Sequence, residues 1–176
     1  MWNGGMFYKI MEEVFDIVDE NGNIIRTATR SECHRNPALI HQVVHLHVFD
    51  TQGRLYLQKR SQAKDLLPGY WDAAVGGHIG SGEDVGTALR REAEEELGIN
   101  ADEACFLYNY LWHGINETEY VHSFSLVYSG TVHPNPEEVE EGRFFPLEEI
   151  KAKVGMNFLT PNFEFEYIHY LEKLVR

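Results

Sequence analysis

Residues 77–99 read GHIGSGEDVGTALRREAEEELGI. From Asp84 to Leu97 the spacing predicts a helix, with Val85, Ala88, Leu89 and Leu97 as its inner stripe and Gly98 as the residue that ends it. Glu92, Glu95 and Glu96 stand at i, i+3 and i+4, so three carboxylates share one helical face. Like charges at that spacing cost an isolated helix roughly 0.2–0.5 kcal/mol. The residue choice makes sense around a hard divalent cation, which takes oxygen ligands from a few carboxylates and from substrate phosphates. Gly76, Gly77, Gly80 and Gly82 let the preceding chain turn tightly and approach a ligand. Glu83 falls at the helix mouth, where the dipole favours a carboxylate, and Arg91 is placed to hold a carboxylate through a bidentate contact. The competing reading of the same residues is an ordinary solvated acidic helix.

The rest of the chain bounds the answer. Its 176 residues, 43% of them apolar, fit one domain with a sizeable core. Fifteen Lys and Arg against 28 Asp and Glu give a formal charge of −13. Such a surface repels nucleic-acid backbone and anionic lipid, so neither a nucleic-acid polymer nor a membrane is an expected partner. A polyphosphate substrate would need divalent cations to mediate. No apolar run approaches the ~20 residues that cross a bilayer, and Met1 to Met11, despite Trp2, Phe7 and Tyr8, lacks the pattern of a signal peptide. The expected location is the cytoplasm. Cys33 and Cys105 suggest neither a disulfide framework nor a zinc ribbon and read as plain thiols.

Glu13 to Val18 alternates apolar and polar residues as a strand does, Asp19 to Asn23 carries turn chemistry, and Ile24 to Thr29 returns, giving an N-terminal hairpin at about 12–30. Ser31 to Pro37 reads as a loop or a single helical turn. A long strand follows over Ile40 to Asp50, with Val44, Leu46 and Val48 on one face and His41, Val43, His45, His47 and Phe49 on the other. Arg54 to Arg60, Ala104 to His113 and Glu119 to Val132 are further strands, with a loop at Pro68-Gly69 leading into Trp71 to Val75. Pro134 to Gly142 reads as an acidic loop. Leu147 to Val154 is helical, and a C-terminal helix runs over about 160–176 with Phe163, Tyr167, Tyr170, Leu171 and Leu174 as its apolar side. Strands and helices mix without βαβ regularity, which predicts an α+β sandwich of helices around a mixed sheet.

The fixed spacing in residues 77–99 separates the two readings of the acidic helix. The segment resembles the Nudix box, G-x5-E-x7-R-E-U-x-E-E-x-G-U with U apolar: Gly77, Glu83, Arg91, Glu92, Glu95, Glu96 and Gly98 match, and Ala93 and Ile99 fill the apolar slots. The resemblance implies a single α/β/α sandwich domain on a mixed sheet, with the box as a loop–helix–loop. It implies Mg²⁺ or Mn²⁺ on Glu92, Glu95 and Glu96 with Glu83 nearby, Arg91 orienting a glutamate, and hydrolysis of a phosphoanhydride in a nucleoside di- or triphosphate or a nucleotide-linked diphosphate. The general base is left open between the box glutamates and Glu137, Glu138, Glu140 or Glu141. Relatives of this kind are often dimers, so a homodimer is one expectation.

A second resemblance spans roughly residues 12–150. The run HRNPALIHQVVHLHVFDTQGRLYLQKRSQAKDLLPGYWDAAVGGHIGSGE, residues 34–83, is similar to the Nudix branch that includes isopentenyl-diphosphate isomerase. That likeness puts the isomerase's metal ligands on His34, His41, His78, Glu117 and Glu119, either as a second metal site or as lining of the substrate pocket. Two departures oppose isomerase activity. The catalytic cysteine is replaced by Gly76, and the box is complete at Arg91-Glu92, where such isomerases tend to lose it. The reading is a hydrolase relative, with isomerisation and a non-catalytic nucleotide-sensing module as alternatives.

Of the positive residues beside the expected cleft, Lys59 or Arg60 is the expected phosphate contact, ahead of Arg54 and Lys64, with Gly77 also at the substrate. Tyr70, Trp71 and Trp112 are candidates for a base-stacking wall, against core packing, which is the better account of Trp71.

Overall fold

The computed structural model describes residues 12–64 and 66–174. The readings of Met1 to Met11 and of the last turn at Val175 lie outside the described residues. Strands β1 (Val14–Val18) and β2 (Ile24–Thr29) form the N-terminal hairpin. Asp19 closes its turn, accepting from the amides of Asn21 and Asn23 at 2.9 Å each. Thr29 and Glu32 then make a reciprocal capping box for the one-turn helix α1 (Arg30–Cys33), which ends at His34.

Strand β3 (Ile40–Phe49) is the spine of the sheet. It runs parallel to β8 (Thr118–Val127) from Ile40↔Thr118 to Phe49↔Val127 and antiparallel to β1 and β6 (Val75–His78) on its other side. β4 (Leu55–Arg60) follows the Asp50–Gly53 turn and pairs with β5 (Trp71–Asp72), while β7 (Cys105–His113) forms a hairpin with β8. Helix α2 (Val85–Leu97) starts on Asp84, whose side chain accepts from Thr87 N, and stops at Gly98 with φ 60°.

One expectation is corrected. The expected loop over Pro134 to Gly142 becomes strand β9 (Val139–Phe145) from Val139 onward, antiparallel to β4 with Lys59↔Glu141 and Leu57↔Arg143 in register. Its Glu-Glu-Gly run hides the strand because Gly142 carries no side chain where the Tyr56 ring crosses, a space that any Cβ would overlap. The C-terminal helix, after α3 (Leu147–Lys153), is continuous from Pro161 to Leu174 but widens between α4 (Pro161–Glu166) and α5 (Glu172–Leu174) into a π turn (Tyr167–Leu171). The wider turn keeps both Tyr167 and Leu171 buried against the sheet.

The helices lie on opposite faces of the mixed sheet, as the α/β/α expectation requires. Ala88, Leu89, Ala93 and Leu97 of α2 pack on Val44, Leu46, Val48 and Val75. Each leucine so buried stabilises the layer by about 1.5–3 kcal/mol. Phe163, Tyr167 and Leu171 pack with Ile150 on Leu55, Leu57, Trp71 and Phe145 on the other side. Among the described residues, no helix is long and apolar enough to cross a membrane.

Candidate active site

The pleat of β6 sorts the candidate residues into two groups. Gly77 faces α2, and a Cβ there would overlap the Glu92 carboxyl group. Gly77 therefore makes room for Glu92. Gly76 and His78 point to the other face, towards the odd-numbered side chains of β3.

On the α2 side, Arg91 gathers the box. Its Nε and Nη2 donate to the two oxygens of Glu83 at 2.9 Å each, Nη1 reaches Glu92 at 2.6 Å and Glu95 at 3.4 Å, and Nη2 also donates to the His78 carbonyl at 3.0 Å. Glu83 further accepts from Gly80 N at 2.9 Å, and the Arg91 hydrogen bonds hold its carboxyl below the usual range. Three carboxylates thus share one guanidinium. Glu96 has no such partner: it is 7% exposed and accepts from the neutral Gln58 amide at 2.8 Å. Burial, with the neighbouring Glu92 charge adding to it, pushes Glu96 up to about 8 against that hydrogen bond. Burial also raises Glu92.

On the other face, His34, His41 and His78 bring ring nitrogens together, as do His41, Glu117 and Glu119; within each trio the ligating atoms lie within 4.8 Å of one another. Each comes from a different local device. His34 sits at the end of α1, His41 on β3, His78 at the end of β6, and Glu117 and Glu119 at the β7–β8 turn and the start of β8. His34 Nε2 is 3.1 Å from His78 Nε2 and 3.5 Å from Glu117, and His41 Nε2 is 4.0 Å from Glu119. Among the described residues, both nitrogens of fully buried His41 and Oε2 of Glu117 lack hydrogen-bond partners, which a buried polar atom tolerates poorly. Burial lowers His41 to about 3 and holds His78 well below its ordinary value, so these rings stay neutral and able to ligate. Burial, then the Glu117 charge, raises Glu119 to about 8. Orphaned donor atoms, neutral imidazoles and paired acids fit a divalent cation, as do the crowded box carboxylates.

The basic candidates are committed to acids. Lys59 donates to Glu140 at 2.7 Å, Arg60 to Asp72 at 3.4 Å and to the Leu66 carbonyl at 3.1 Å, and Lys64 pairs closely with Glu138. Arg54 binds Asp50 at 2.6 Å. Trp71 is core, stacked on Phe158, and Trp112 lies against Gly114 of its own hairpin. Sequence reasoning missed Gln58, Asn162 and Glu166. Asn162 donates to Glu119 at 2.5 Å and accepts from Tyr110 at 2.7 Å. Glu166 is fully buried and accepts from His45, His47, Ser123 and Tyr108. Its signal was present: Glu166 sits three residues after Phe163, inside the helix's apolar stripe.

The family model described as NUDIX domain matches residues 39–163. The chain belongs to the Nudix family. An uncharacterised Nudix hydrolase of Streptomyces coelicolor is 34% identical over 146 residues, covering 82% of this chain and 80% of the relative. The isopentenyl-diphosphate Delta-isomerase 1 of Photorhabdus laumondii is 31% identical over 170 residues, covering 92% and 96%. Among solved structures, DR0079 of Deinococcus radiodurans superposes with a TM-score of 0.73 at 25% identity, covering 93% of this Nudix chain and 98% of its own. The relatives therefore carry both hydrolase and isomerase names, in keeping with a branch that the sequence placed beside the isomerases.

Proposed function

We propose that this Nudix protein is a divalent-metal-dependent hydrolase that cleaves a phosphoanhydride bond in a nucleoside di- or triphosphate or a nucleotide-linked diphosphate. One observation carries the reading: Glu83, Glu92 and Glu95 share the single Arg91 guanidinium, an excess of negative charge, and the buried carboxyl of Glu96 stands beside them on the Gln58 amide, a crowding that a cation would relieve. Glu92, Glu95 and Glu96 would hold Mg²⁺ or Mn²⁺, with Glu83 keeping Arg91 in place. The chemistry such an ion supplies is neutralisation of charge on phosphoryl oxygens and a more acidic water. Arg91 fixes the orientation of Glu92, and one of the three glutamates accepts the proton of the attacking water. Of the other acids weighed for that role, Glu138 and Glu140 are held by Lys64 and Lys59. The acidic cleft favours substrates that arrive as metal complexes.

The test is a panel of nucleotides and nucleotide conjugates with Mg²⁺ and Mn²⁺ in parallel and with product identification. Turnover that chelator abolishes, and that Glu95→Gln or Glu96→Gln lowers by about 10²-fold or more, is expected. Full activity in both variants would remove the box from the chemistry. The His34, His41, His78, Glu117 and Glu119 cluster favours a second reading, isoprenoid diphosphate isomerisation, which the missing thiol at Gly76 opposes. Dimethylallyl product from isopentenyl diphosphate would establish it.

A further inference from the structure

His45 lies on β3 opposite Gly76, and its side chain is only 8% exposed. Nδ1 is fixed on Glu166 at 2.7 Å. The other edge of the ring, Cδ2 and Nε2, faces Gly76: a Cβ there would lie 3.6 and 3.7 Å from these atoms. Gly76 itself is exposed, so only a glycine separates this edge of the imidazole from solvent. Nε2 has no hydrogen-bond partner among the described residues. Lys59, Arg60 and Lys64 are each turned towards an acid, whereas among the described residues no acid takes up Nε2 of His45.

The partner of Nδ1 explains what the ring can do. Glu166 is buried, which opposes its ionisation, but the His47 and His45 rings, through charge and hydrogen bonds, outweigh burial and hold it well below the usual carboxylate range. Its oxygen fixes the proton on Nδ1 and the plane of the ring. Burial opposes a charge on His45, but Glu166 outweighs it, with Asp72 and Glu119 adding to the same effect, and the ring is raised to about 9. An imidazole with both nitrogens protonated presents Nε2–H as a charge-assisted donor, suited to an anionic oxygen. His47, bound to the same carboxylate at 2.9 Å, is fully buried and faces no opening.

We infer that His45 is a substrate-contacting residue that donates from Nε2, across Gly76, to an oxygen of the bound diphosphate, with Glu166 as its positioning residue. The inference rests on the diphosphate-hydrolase reading and adds a cationic contact to a site whose guanidinium, Arg91, is taken up by Glu83, Glu92 and Glu95. It also gives Gly76 a purpose, since a larger residue would close the approach to Nε2.

The test uses inorganic pyrophosphate with Mg²⁺ as the probe, titrated calorimetrically into wild type, His45→Gln, His47→Gln and Gly76→Ala, each checked for native near-ultraviolet circular dichroism. Loss of the contact is expected to weaken binding about tenfold or more in His45→Gln, and to raise KM more than it lowers kcat. His47→Gln, which disturbs the same buried carboxylate without facing the cleft, should change affinity less than about threefold. Gly76→Ala meets no clash and should weaken binding with the fold intact. In ¹⁵N-histidine-labelled wild type, pyrophosphate should move the His45 Nε2 resonance and leave that of His47 in place. Unchanged affinity in His45→Gln, equal losses in His45→Gln and His47→Gln, or a still Nε2 resonance overturns the inference. If wild type itself neither binds pyrophosphate nor turns over any phosphoanhydride, the hydrolase reading fails and takes this one with it. If wild type does both, only the role of His45 is at stake.

Discussion

Replacing Gly77 by alanine tests whether the box is assembled as described. No unusual φ is required at Gly77, so the backbone accepts alanine, but its methyl group would overlap the Glu92 carboxyl. To regain an ordinary contact of 3.4 Å, the carboxyl carbon, at 2.0 Å, must retreat by about 1.4 Å. Glu92 is a flexible side chain and can move, which makes the stability cost small. Its hydrogen bond to Arg91 is worth about 0.5–1.5 kcal/mol, partly offset by the reduced freedom of alanine in the unfolded chain, about 0.4–1 kcal/mol. A net change under about 1 kcal/mol shifts Tm by no more than about 2–4 °C. Activity responds differently, because misplacing a ligand by about 1 Å costs roughly 10²-fold. Chelator-sensitive turnover of the best substrate in the panel and a thermal melt read both quantities on one preparation. Near-wild-type turnover, with Mn²⁺ affinity unchanged, would refute the placement of Glu92 at the reacting centre; a collapse of Tm would refute the claim that Glu92 can move at small cost.

Arg91→Ala releases Glu83, Glu92 and Glu95 together, so kcat/KM should fall by about 10²-fold or more; an unchanged value would show that the guanidinium is not what orients them. His45 is raised above its unfolded value, so its contribution to stability is full below about pH 6.5 and is lost as pH rises through about 9. Buried Glu96, also raised, loses stability in the same direction, so the comparison must be with His45→Gln. Wild type should lose on the order of 2 kcal/mol more than that variant between pH 7 and 9.5, read from denaturant midpoints, and parallel curves would deny the pairing with Glu166. Cys33 is fully buried and burial pushes its thiol up to about 11, whereas Cys105 is exposed. Under native conditions one thiol should label with a maleimide and the second only after unfolding; rapid labelling of both would contradict the packing around α1.

The box was legible because every one of its groups lies within one helix and its leading loop, where spacing fixes geometry. The five-residue His and Glu cluster was legible through family likeness, since nothing in the separation of His34 from Glu117 fixes a contact by itself. The groups that hold these residues were not legible. Gln58 reaches Glu96 across 38 positions and Glu166 reaches His45 across 121, and no local pattern encodes either. Strand β9 escaped for a related reason: its strand character comes from pairing with β4, and Gly142 serves Tyr56 rather than the strand. The lysine and arginine candidates were found by type, but their partners Glu138, Glu140 and Asp72 were out of view.

The two bare glycines of β6 face different groups, Glu92 on one side and His45 on the other. A small side chain at position 76 fits without displacing anything. A cysteine there, the residue the isomerases carry, would place its sulfur next to an imidazolium already held in position by Glu166, a setting that stabilises thiolate. An exchange at this position therefore changes what borders the ring without a change of fold.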